Sequence, residues 1–72
     1  MSDFAIGDME DGWILKKREG RVELWFNNES GYYGIYLYEN VQQPEPQWLL
    51  HAVRKTEEEA NNIFDTVVDM VR

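Results

Sequence analysis

Apolar and polar positions alternate with a period of two through the first half of this chain and change to a helical period near its end. The stretch WILKKREGRVELWF, residues 13–26, reads as two strands around a tight turn at Glu19-Gly20, because glycine tolerates the positive φ that such turns need. That turn sets Trp13 opposite Phe26, Leu15 opposite Leu24 and Lys17 opposite Val22 on one face. The reverse face then pairs Ile14 with Trp25 and Lys16 with Glu23.

A second turn, NNESG at 27–31, leads into GYYGIYLYEN, residues 31–40, which holds four tyrosines. Pairing Phe26 with Tyr33 brings Leu24 to Ile35 and Val22 to Leu37, which extends the first apolar face. The other face then sets Trp25 across from Gly34, Glu23 from Tyr36 and Arg21 from Tyr38. A ring can cover a glycine on the neighbouring strand, and a guanidinium can sit over a tyrosine.

NVQQPEPQ, 40–47, is predicted to be a loop, because two prolines do not fit inside a central strand. WLLHAVR, 48–54, is a fourth strand or extended segment whose faces are ambiguous, since both alternating sets are largely apolar. From Thr56 the period becomes helical. Thr56 and Glu59 have the spacing of a capping box, and Ala60, Ile63, Phe64, Val67, Val68 and Val71 form one stripe.

The fold class expected is therefore α+β: an antiparallel three- to four-stranded β-meander with a C-terminal helix packed across one face. Residues 1–12, MSDFAIGDMEDG, read as an acidic arm with Phe4 and Ile6 able to dock, and 13–72 as a single β-β-β-(β)-α domain. The same strand order occurs in many unrelated small domains and implies no function by itself. The helix is expected to cover the Trp13, Leu24, Phe26, Ile35, Leu37 side. The other side is then left open unless the arm or another protein covers it.

Composition sharpens this picture at three points. With 72 residues there is room for one core, and ten aromatic residues, each burying on the order of 150–250 Å², make that core feasible. The absence of cysteine excludes disulfides and thiolate metal sites. A net charge of −7 opposes direct nucleic-acid binding, which needs Lys and Arg against phosphates. No long apolar segment and no basic, then apolar, N-terminus appear, so the expectation is a cytoplasmic chain with no membrane contact.

The open sheet face is the leading candidate for function. Trp25, Tyr36 and Tyr38, flanked by Ile14 and Arg21, mix ring area with charge as protein interfaces do. The expected activity is a small, acidic, non-enzymatic binding or regulatory module acting through protein–protein contact, with a partner protein or a second copy (a homodimer) on that face. On this reading Trp25→Ala weakens association and leaves thermal stability almost unchanged. The alternative is an acidic inhibitor that imitates a nucleic-acid backbone before a nucleic-acid-binding protein such as a nuclease, using Glu58, Asp65 and Asp69 on the outer side of the helix. The bland reading of those acids is a solvated helix face.

Other chemistries find little support. KKREGR at 16–21 is a solvated hairpin tip whose field Glu19 weakens. GDMEDG at 7–12 fails as a calcium loop, because Gly7 and Met9 stand where carboxylates are needed and Arg18 stands at the closing position. His51 is the sole histidine and lies in an apolar run, and Ser2 and Ser30 fall in segments expected to be flexible, so no nucleophile–base pair emerges. No catalytic residue, metal, cofactor or small-molecule ligand is assigned.

Overall fold

The computed structural model describes residues 4–39 and 47–71. Among these residues, five antiparallel strands in meander order form one sheet: β1 (Met9–Glu10), β2 (Trp13–Glu19), β3 (Val22–Asn27), β4 (Tyr33–Glu39) and β5 (Gln47–Arg54). One helix follows, α1 (Glu57–Val71). The class is the α+β arrangement expected, with a sheet wider than three or four strands. The additional strand, β1, comes from the segment expected to be only an arm. The proline-containing loop expected at 40–47 lies, apart from Gln47, outside the described residues.

Asp11-Gly12 explains why part of the arm joins the sheet. Asp11 has φ 52° and Gly12 φ 85°, and two successive positive φ values are what a two-residue type I′ hairpin turn requires. The turn pairs Glu10 with Trp13 and Met9 with Ile14. Upstream, the Gly7 N–H donates to the Leu15 carbonyl at 2.8 Å and the Leu15 N–H to the Asp8 carbonyl at 3.0 Å, so the arm continues along β2.

The β2–β3 hairpin departs from its expected register. Its turn is Gly20-Arg21 rather than Glu19-Gly20, with Glu19 opposite Val22, Arg18 opposite Glu23 and Lys17 opposite Leu24. Glycine at the first central position with φ 60° suits a type II′ turn. A bulge at Lys16 then shifts the ladder, so that Leu15 meets Trp25, Ile14 meets Phe26 and Trp13 meets Asn27. One extra residue reverses the facing of everything beyond it. Trp13 and Leu15, expected on the helix side, therefore share the face of Trp25, and Ile14 takes the helix side.

The β3–β4 register is the one expected from sequence: Val22–Leu37, Glu23–Tyr36, Leu24–Ile35, Trp25–Gly34 and Phe26–Tyr33. A second bulge, at His51, resolves the ambiguity of β5. Ala52 meets Ile35 and Leu49 meets Leu37, while Leu50 meets Tyr36 and Val53 meets Gly34 on the other face.

The main core lies between α1 and one sheet face, where Val22, Leu24, Ile35 and Leu37 pack with Ala60, Phe64, Val67 and Val68. Ile63 and Val71 flank it, which completes the stripe seen in the sequence. Each fully buried valine, leucine, isoleucine or phenylalanine side chain contributes about 1.5–3 kcal/mol relative to exposure. The Glu59 N–H donates to Thr56 Oγ1 at 3.3 Å, and that hydroxyl donates to Glu59 Oε1 at 3.0 Å, so the helix starts at its expected cap. Lys17 stretches over the rim of this core, with Nζ 4.8 Å from the Phe64 ring centroid and 3.1 Å from Asn61 Oδ1.

Candidate functional site

The second sheet face, opposite the helix, is partly covered by the chain's own arm. Phe4 and Trp25 meet edge to face, with ring centroids 5.3 Å apart and planes at 85°. Trp25 is left only 8% exposed. Its indole Nε1–H donates to Glu23 Oε1 at 2.9 Å, and Arg18 Nε donates to Glu23 Oε2 at 2.8 Å. Glu23 is 3% exposed, and a carboxylate so deep needs donors on both oxygens. The Arg18 Nη2 also donates to the Phe4 carbonyl. One guanidinium thus fastens the arm to the charge buried beneath it.

Next to this covered region lies a groove of about 260 Å³ lined by Phe4, Glu10, Asp11, Trp13, Glu23, Trp25 and Tyr36. Trp13 and Tyr36 meet edge to face, with centroids 6.4 Å apart and planes at 89°. Gly34 permits that approach. A Cβ there would lie 3.1 Å from Tyr36 Cε1 and 3.3 Å from Trp13 Cζ3, tighter than ordinary contact. Burial raises the Tyr36 phenol pKa above its ordinary value. At the rim, Glu10 shares the face of Trp13 through their ladder pairing, and the type I′ turn sets Asp11 beside it; both carboxylates are exposed.

Leu50 is 52% exposed and Val53 38%, both on the second face next to Tyr36 and Gly34. The open part of this face is therefore its β4–β5 side, continuous with the aromatic groove.

The residues expected to make a binding surface are thus distributed differently from the expectation. Tyr36 and Tyr38 are half-buried on β4, and Tyr36 lines the groove. Trp25 lines it too, but as a buried residue that Phe4 has already covered. Ile14 faces the helix side because of the bulge at Lys16. Arg21 is exposed at the hairpin turn, where its carbonyl accepts the Tyr38 N–H at 2.8 Å. Glu58, Asp65 and Asp69 are all exposed on α1. GDMEDG at 7–12 forms β1 and its turn, and His51 is an exposed bulge residue rather than part of an apolar interior.

Sequence reasoning passed over Trp13, Glu10 and Asp11 as site residues. The available signal was the Asp11-Gly12 dipeptide, a strong hairpin marker that would have folded Glu10 back onto Trp13. Among the described residues, no helix is long and apolar enough to cross a membrane. No protein-family model matches the chain, and neither a curated protein nor a solved structure matches it.

Proposed function

We propose that this chain is a small, non-enzymatic binding module of the cytoplasm that docks a partner protein on its second sheet face. The observation that carries the reading is the aromatic groove continuous with the uncovered Leu50 and Val53 strip. Exposed leucine and valine beside half-buried tyrosine and tryptophan have the composition of an interface centre, and the acidic rim supplies its polar border. The occupant is a partner with apolar residues for the strip and positive charge for the rim.

Selection of displayed random peptides tests this. Wild type is the bait, with counter-selection on Tyr36→Ala and Leu50→Asp. Enriched peptides that shift the Trp13 and Leu50 resonances, and that neither variant binds, support the reading. Enriched peptides that bind both variants as well as wild type overturn it. Light scattering tests the other occupant: a dimer split by Leu50→Asp assigns the face to a second copy instead.

A second reading is favoured by the exposure of Glu58, Asp65 and Asp69 together on α1. At about 1.5 Å per helical residue they lie roughly 10 Å and 6 Å apart along the axis, a spacing that can oppose a row of basic groups in a nucleic-acid-binding protein. Partner binding that falls steeply with salt and vanishes on neutralising these three, with Tyr36→Ala harmless, would select it.

A further inference from the structure

The groove has a shape and charge that narrow its ligand. Four rings line it, and the two ring pairs each meet close to a right angle, at 85° and 89°. The two perpendicular pairs set ring planes in more than one orientation around one small volume. At about 260 Å³ that volume lies below the roughly 300 Å³ at which pockets for drug-sized ligands begin, so it suits one side-chain head group.

A flat guanidinium gains most by stacking parallel to a single ring, whereas a compact rounded cation touches several orthogonal faces at once. Ring faces attract cations within about 6 Å of the centroid, and weakly hydrated ammonium groups lose least on entering.

The carboxylates divide into two kinds. Glu23 already accepts from Arg18 and Trp25 at the groove floor. Glu10 and Asp11 are exposed at the rim, where negative charge complements a cation entering from solvent. Asp11 stands there with φ 52°, a conformation uncommon for a non-glycine residue and tolerated best by Asp and Asn.

Resting on the reading of this face as a partner-binding surface, we infer that the Phe4, Trp13, Trp25, Tyr36 groove is an aromatic cage for a methylated lysine side chain of the partner protein. Glu10 and Asp11 supply its counter-charge. The Leu50 and Val53 strip takes the apolar residues next to that lysine.

The test is a titration of four probes, followed by the Trp13 indole N–H resonance at fixed ionic strength. They are an acetyl-Val-Lys(trimethyl)-Leu-amide peptide, the same peptide with unmodified lysine, the same peptide with the neutral carbon isostere of trimethyllysine, and choline. The trimethyl peptide is expected to bind about ten-fold more tightly than the neutral isostere, the scale of a desolvated cation–π contact. It should also bind more tightly than the lysine peptide. Tyr36→Leu should abolish binding, and the double substitution Glu10→Gln, Asp11→Asn, placed at exposed positions that leave the core untouched, should weaken it several-fold.

Equal binding of the neutral isostere, or binding that the double substitution leaves unchanged, overturns the cage. Choline binding as tightly as the peptide overturns its assignment to a protein side chain. If none of the four probes binds while display-selected peptides still occupy the groove, the cage fails and the partner-binding reading stands. If the selected peptides miss the groove as well, both fail.

Discussion

Arg18 and Glu23 are directly opposed across the β2–β3 ladder and joined by a 2.8 Å ion pair, and the same guanidinium holds the Phe4 carbonyl. Cross-strand charge pairing is thereby coupled to closure of the arm. Arg18→Ala leaves a buried carboxylate oxygen without this donor and releases Phe4. The expected loss is about 1–3 kcal/mol in urea unfolding. Tryptophan emission should move to the red in the folded state as Trp25 gains water. A variant with wild-type stability and emission would show that the arm closes without Arg18.

Trp25→Ala should behave as a core deletion, with a loss of about 3–5 kcal/mol, rather than as the nearly neutral surface change that an exposed ring would give. That is a large part of the total stability of a chain this short, so the substitution is expected to leave a mostly unfolded protein. Trp25→Phe separates the two roles of the indole. It keeps ring contact with Phe4 and removes the donor to Glu23 Oε1, at an expected loss of about 1 kcal/mol by thermal melting.

Gly34→Ala sets two effects against each other. Replacing glycine in a strand stabilises by roughly 0.5–1 kcal/mol, and the new Cβ crowds Tyr36 and Trp13. Stability should stay within about 1 kcal/mol of wild type. The near-ultraviolet circular dichroism should change, because the rings must move apart. Unchanged ring signals would mean that Gly34 does not set the Trp13–Tyr36 geometry.

Tyr36 gives the protein an alkaline limit. Its phenol pKa is raised by burial above that of the unfolded chain, so above about pH 10 the unfolded state releases this proton more readily. The corresponding stability is fully present below that pH and is lost as pH rises through the folded value. Tyr36→Phe should flatten this part of the urea-midpoint profile between pH 10 and higher alkaline values. An unchanged profile would assign the alkaline loss to other groups.

The elements of this fold were legible where local chemistry and long-range pairing agree. The helix was legible from Thr56, Glu59 and a stripe with a single period, and the β3–β4 ladder from two strands with matching alternation. The candidate site was legible only in part. Tyr36 and the aromatic character of the face could be read, but Trp13, Ile14 and Trp25 were misplaced in facing or exposure. The reason is physical. The bulges at Lys16 and His51 have no composition of their own, because they are selected by packing on both faces of the finished sheet. The covering of Trp25 by Phe4 is a contact across 21 sequence positions that no periodicity encodes.

The bulge at Lys16 changes the parity of a strand. Beyond it, odd-numbered residues of β2 switch from the helix side to the groove side, so one seven-residue strand serves two interiors: Lys17 reaches over Phe64, while Leu15 and Trp13 build the opposite surface. Pairing Lys16 itself opposite Trp25, with no bulge, would not shorten the strand so much as exchange its inside and outside. Ile14 would arrive where Trp13 and Leu15 now stand, and the groove would lose a wall with every aromatic residue of the chain still present.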